Sequence, residues 1–180
     1  MTVLGVGSAQ FNPPPNFGLV EEDFYRSGMP SAQCMPFMER LSIKTILFLS
    51  HEDVPRTLLN FCTEKGVEII RPVVTETKFM KASPPISEDE TLFALQVVLD
   101  ASKYPLHMIC DLGRHRNGTV VGCLRKLQQW NLTSILEEYR RYAGDEISSL
   151  TEQFIELFDT SLVHIPSCKP SWIHNSANSM

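Results

Sequence analysis

The stretch Cys110-Asp111-Leu112-Gly113-Arg114-His115-Arg116-Asn117-Gly118 sets a guanidinium six residues after a thiol, with a glycine inside the run and another at its end. A thiolate is a strong nucleophile, and a guanidinium forks two N–H donors onto one oxyanion. Backbone N–H groups at a helix start form an anion cradle, which the helix dipole makes electropositive. The same potential lowers a thiol's pKa, so the pattern predicts that Cys110 ionises near neutral pH. A nucleophile inside a phosphate-shaped cradle implies phosphoryl transfer through a phosphocysteine. In that chemistry Cys110 attacks and Arg116 clamps the phosphate, while Asp111, Leu112, Gly113, Arg114, His115, Asn117 and Gly118 line it.

Spacing alone does not carry this reading, because the chain holds a second copy, Cys34 to Arg40. That copy follows no apolar run, contains no glycine and sets Glu39 beside the arginine, so it reads as a packing cysteine at a helix start. Cys110 instead ends the apolar run 105–110, and a helix is expected over 119–130.

Around it, 45–49 is apolar throughout, which predicts a strand buried on both faces; 67–74 and 105–110 read alike. Residues 24–28 predict a short strand closed by glycine. Helices are expected from Pro36 to just before Lys44, over 54–65 with Gly66 as C-terminal cap, and from the capping box of Ser87 and Glu90. Ser134 with Glu137, and Ser149 with Glu152, predict two more, ending near Gly144 and Asp159. Residues 75–85, polar and with a Pro-Pro pair, read as a loop. Strands alternating with helices predict an α/β three-layer sandwich, its central sheet mostly parallel and flanked by helices. In such sheets ligands sit beyond the carboxyl ends of the strands, where Cys110 stands. The expected organisation is an extended segment over 1–22, one domain over 23–165 and a loose polar tail over 166–180.

At 180 residues, 43% hydrophobic and 21% charged, the chain has the composition of a single globular domain. Its formal net charge of −5 argues against a duplex nucleic-acid partner. No run reaches the length of a membrane helix and the start lacks the features of a secretory signal, so a cytoplasmic location without a membrane partner is expected. The five cysteines include no CxxC pair, which predicts free thiols rather than a disulfide framework or zinc site. No metal or cofactor is expected.

Residues 109–130, together with Tyr25-Arg26-Ser27-Gly28-Met29-Pro30 and the segments 132–142 and 154–159, closely resemble the plant and fungal atypical dual-specificity phosphatases. That branch of the tyrosine phosphatase superfamily includes the yeast oxidant-induced cell-cycle arrest proteins. The resemblance spans roughly 12–159. It implies the tyrosine-phosphatase sandwich, Cys110 as nucleophile, Arg116 as phosphate clamp, and hydrolysis of a phosphorylated protein or an inositol pyrophosphate. Two positions depart from the family pattern. Ile109 stands where the family has a histidine that helps keep the thiolate formed. Asn117 stands where a Thr or Ser hydroxyl eases departure of the cysteine. Two readings follow: an active phosphatase, or a phosphate-binding pseudophosphatase that assembles with related phosphatase-like subunits.

Glu76 and Asp111 are the candidate general acids. A pyrophosphate expels a better leaving group than an alkoxide and needs less proton donation, so the lack of an obvious aspartic acid fits that substrate. Arg114, His115, Lys78, Lys81 and Lys126 are candidate rim cations. His107, mid-strand, reads as a core histidine, and Cys123 as a packing thiol.

Overall fold

Every residue of β3 (Thr45–Phe48) and β5 (Leu106–Ile109) is buried, as runs apolar on both sides must be when layers cover both faces of a sheet. The structure, a computed structural model, describes residues 11–72 and 86–173. Five strands form one sheet in the order β1-β2-β5-β3-β4, with β1 (Gly18–Glu21), β2 (Phe24–Ser27) and β4 (Glu68–Ile70) completing it. β1 pairs antiparallel with β2, and the other three pairings are parallel.

Alternation along the strands sorts the core into two layers. Ile46, Phe48 and Ile109 pack with Met38 of α1 (Met35–Arg40) and with Leu58, Phe61 and Cys62 of α2 (Arg56–Lys65). Leu47, Leu106, Met108 and Cys110 pack on the opposite side with Leu95 and Val98 of α3 (Glu88–Val98) and with Val120, Val121 and Leu124 of α4 (His115–Leu127). Ile135, Tyr139 and Ala143 of α5 (Leu132–Ala143) and Ile155 of α6 (Ser149–Leu157) form a third cluster. α4 is thus the axle that carries α5 and α6. Gly118 and Gly122 let them approach: a Cβ on the first would lie 2.7 Å from the Tyr139 ring, and on the second 2.5 Å from Ile155 Cδ1.

Several boundaries differ from the sequence reading. α4 begins at His115, four residues before the expected start, so Arg116, Asn117 and Gly118 belong to its first turn. Gly118 is a helical residue whose N–H donates to Arg114 O at 2.8 Å. α4 also ends sooner, since Gln129 adopts φ +64° and turns the chain. The cap of α5 is Asn131, whose side chain accepts from Ser134 N–H, and the cap of α6 is Ser148. Both satisfy an orphan first-turn donor from outside the helix, and this displaces the expected capping boxes. α3 keeps its Ser87–Glu90 box. β1 lies within the segment expected to be merely extended. Residues 166–173, expected as the start of a loose tail, are packed: Ala101 N–H donates to Cys168 O at 3.0 Å, and Ile173 is buried in the core. The expected loop over 75–85 lies outside the described residues.

Candidate active site

β5 delivers Cys110 to the carboxyl edge of the sheet, and α4 begins five residues later. Between them the chain must reverse within one loop. Gly113 does this at φ +71°, a left-handed conformation open to glycine. The fold leaves no room for a side chain there: a Cβ on Gly113 would sit 2.5 Å from Gly28 N, and one on Gly28 would sit 2.9 Å from the Leu112 carbonyl carbon.

The loop turns its amides inward and its carbonyls outward. The backbone N–H groups of Asn117 and Gly113 act on the Cys110 sulfur and favour its ionised form. On the outside, Met29 N–H donates to Asp111 O at 3.1 Å, Asn16 Nδ2 to Gly113 O at 3.2 Å, and Arg26 Nη2 to Gly113 O at 2.8 Å. All three donors come from the β1–β2 hairpin and its flanks. That hairpin works as a backing plate for the cradle.

Cys110 is 3% exposed. Burial pushes its thiol pKa up, against the Asn117 and Gly113 amides and the Arg26 charge, which pull it down; Asp111 adds to the rise. The direction is opposite to the sequence expectation. That expectation counted the positive potential and left out the desolvation of a sulfur at the end of a buried strand.

Arg116 Nη1 donates to Leu49 O at 2.7 Å and stands 3.8 Å from Asp111 Oδ2, so the clamp candidate is already oriented by the end of β3. Ser50 Oγ donates to Asp111 Oδ1. Asn117 is fully buried, and its Nδ2 donates to Ser27 O at 2.9 Å and Met108 O at 3.4 Å. Its side chain therefore ties β2 to β5.

A sequence profile described as the tyrosine phosphatase family matches residues 12–176. The chain belongs to the tyrosine phosphatase family. It is 49% identical over 164 residues to a probable tyrosine-protein phosphatase, DG1060, of Dictyostelium discoideum, covering 91% of this chain and 97% of that one. It is 40% identical over 162 residues to an inositol diphosphatase, DSP1, of Oryza sativa subsp. japonica, covering 89% and 72% respectively. Among solved structures it resembles the core catalytic domain of the PP-IP phosphatase SIW14 from S. cerevisiae, in complex with citrate. There the TM-score is 0.75 at 36% identity, over 83% of this chain and 89% of that one.

Within this phosphatase, the expected site residues separate into three groups. Cys110, Asp111, Leu112, Gly113 and the first turn of α4 lie in one loop-and-helix unit, with the Leu112 side chain 56% exposed at its rim. Arg114 and His115 also lie there, but each is already engaged. Arg114 Nη1 pairs with Glu146 at 2.7 Å, and His115 Nδ1 lies 3.0 Å from Tyr139 Oη, which also accepts from Ser148 N–H.

Lys126 is not at the rim. It sits in the last turn of α4, and its ammonium caps the Ile155 and Glu156 carbonyls of α6. It stands eleven positions along α4 from His115, about 16 Å of rise. Glu76, Lys78 and Lys81 lie outside the described residues. Cys34 is buried at the start of α1, the packing role expected for the second copy of the spacing. Cys123 is buried, and desolvation pushes its thiol far up. His107 is buried, with its ring nitrogen Nε2 2.9 Å from Ser27 Oγ. Among the described residues there is no cluster of potential metal ligands and no helix long and apolar enough to cross a membrane.

Sequence reading missed Arg26. It stood in a quoted motif, but nothing about a strand arginine announced that it would be fully buried against the cradle.

Proposed function

We propose that Cys110 is the nucleophile of a cysteine-dependent phosphatase whose substrate is an inositol pyrophosphate or a phosphorylated protein. The carrying observation is Cys110 at the carboxyl end of β5, followed by the Gly113 turn and the start of α4 with Arg116 in its first turn. An approaching phosphate dianion accepts from the backbone amides of the loop and meets Arg116 at its equatorial oxygens. The Cys110 thiolate attacks phosphorus, the bond to the leaving oxygen breaks, and a phosphocysteine forms. Asp111, half-exposed beside Arg116 and held by Ser50, is the candidate acid for the leaving oxygen. Water then attacks phosphorus, the P–S bond breaks, and inorganic phosphate leaves as the thiolate re-forms.

The resemblance to an inositol diphosphatase and to a PP-IP phosphatase core supports the pyrophosphate substrate. So does chemistry: a phosphate leaving group makes less demand on a proton donor. The test is a turnover panel of aryl phosphate, phosphotyrosine peptide and inositol pyrophosphate, each beside Cys110→Ser. Turnover lost in the variant on every substrate supports the reading; a variant as fast as wild type ends it.

The second reading is a phosphate-binding subunit that assembles with related phosphatase-like chains. It is favoured by Ile109, a buried core residue, and by the Asn117 amide, committed to Ser27 and Met108 rather than the sulfur. Combining Ile109→His with Asn117→Thr separates the two. A large gain from a near-zero rate supports the subunit reading, and a brisk parent enzyme excludes it. Either role is read as cytoplasmic, where five thiols without a CxxC pair stay reduced.

A further inference from the structure

We propose that Arg26 is the positioning residue of the cradle: its buried guanidinium holds the Gly113 and Arg114 carbonyls outward and is the internal cation that stabilises the Cys110 thiolate. The inference rests on Cys110 being the nucleophile and assigns a role to a side chain that never meets solvent.

Arg26 is fully buried on β2, between β1 and β5 in the sheet. Its Nη2 donates to Gly113 O at 2.8 Å and to Arg114 O at 3.4 Å, and its plane lies 3.8 Å over the Tyr142 ring of α5. Nε and Nη1 are buried without a hydrogen-bond partner among the described residues. A fully desolvated guanidinium with two unmet donors is expensive, and burial lowers its own pKa to about 10. Ordinary packing would place an apolar residue there. The fold keeps a cation, and charge is what a thiolate requires.

The two roles are coupled through one loop. A peptide N–H can point at a docked phosphate only if the carbonyl of the same peptide group points away. Gly113 O and Arg114 O belong to the peptides whose nitrogens are Arg114 N and His115 N, the donors at the mouth of α4. Fixing those oxygens from behind fixes those N–H groups in front, before phosphate arrives. Asn16 assists at Gly113 O but carries no charge.

Arg26 from β2 and Asp111 from the loop act on Cys110 with opposite sign. Those acting on Arg26 are Tyr142 and Glu138 of α5, Arg125 of α4 and Cys110 itself. His115 and Arg116 stand on the adjoining first turn of α4, the latter 3.8 Å from Asp111. His107 of β5 bonds Ser27 and is held neutral by burial.

The experiment measures Cys110 alkylation by iodoacetamide against pH, read on the Cys110 peptide by mass spectrometry, in wild type, Arg26→Met and Arg26→Lys. Arg26→Met should alkylate at pH 7 at least about tenfold more slowly, its midpoint having moved up by a unit or more. Arg26→Lys should keep the wild-type pH profile. It should still lose about tenfold in kcat/KM on an aryl phosphate, because a rotating ammonium on a flexible stem does not fix the two carbonyls as the planar guanidinium does. A folded Arg26→Met that follows the wild-type profile overturns the proposal, as does an Arg26→Lys indistinguishable from Arg26→Met.

Should Arg26→Met not fold, nitrogen-15 NMR of the wild-type protein decides. The Arg26 Nε resonance should titrate with the Cys110 midpoint and be flat in Cys110→Ser; a resonance indifferent to Cys110 refutes the assignment. Alkylation and NMR need no turnover. A Cys110→Ser protein that still turns over would therefore remove the nucleophile reading without being mistaken for a failure of Arg26.

Discussion

The backbone nitrogen of Gly28 and the α-carbon of Gly113 approach so closely that a Cβ on Gly113 would lie 2.5 Å from that nitrogen. Two glycines 85 positions apart in sequence thus seat the cradle on the β2 turn, and neither has space for a methyl group. Gly113→Ala should destabilise the protein by about 2–4 kcal/mol, the sum of left-handed strain and overpacking against backbone. Urea unfolding measures it. A loss within experimental error would mean that the loop relaxes away from β2.

Arg125 closes the other end of α4. It is 4% exposed, and its Nε and Nη2 fork Glu138 at 2.8 and 3.3 Å, Nη1 reaches Glu21 and Gln128, and Nη2 also reaches Val20 O at 2.8 Å. Truncation leaves the Glu138 and Glu21 carboxylates without their cation. Arg125→Met should cost about 3–5 kcal/mol, as breaking one side of a buried ion pair does. Thermal unfolding of Arg125→Met beside Glu138→Gln/Arg125→Met checks it, since removing the stranded charge should recover part of the loss.

His107 makes stability pH-dependent. Ser27 Oγ donates to Gly28 O, so the His107 proton sits on Nε2 and points at Ser27; Nδ1 is buried without a partner among the described residues. Burial drives the imidazole pKa from 6.5 down to about 3. A folded-state pKa below the unfolded one means the unfolded chain binds the extra proton. Stability should therefore be fully present above pH 6.5 and fall as the pH drops from there toward 3, by at most about 1.4 kcal/mol per unit. Unfolding free energies of wild type and His107→Gln across that window should diverge in slope; parallel curves would assign the pH dependence elsewhere.

Glu146 sets how much of Arg114 a substrate meets. Their contact, 2.7 Å, is largely solvent-exposed, and Arg114 holds the Glu146 carboxyl below its usual range. Glu146→Gln frees the guanidinium at the mouth of the cradle. KM for a polyanionic substrate should fall by up to about fivefold, the scale of an exposed ion pair, with kcat little changed. An aryl phosphate, too short to reach Arg114, should show a smaller change. Equal effects on both would place Arg114 against the reacting phosphate itself.

The linear pattern disclosed whatever local chemistry dictates. Uninterrupted apolar runs at 45–49 and 105–110 announce strands covered on both faces, and Ser87 with Glu90 announces a helix start, because each depends on neighbours a few positions away. The strand ending before Cys110 and the glycine turn at Gly113 were legible for the same reason, because they are consecutive. What depends on distant partners was not. That α4 starts at His115, that Gly118 packs against Tyr139, that Lys126 caps α6, and that Asn117 binds Ser27 follow from which elements pack on α4. The ionisation of Cys110 was decided there too. Sequence spacing conveys the positive potential of a helix start, but desolvation is set by the layers closed over the sulfur, and only the folded chain brings Arg26 close enough to oppose it.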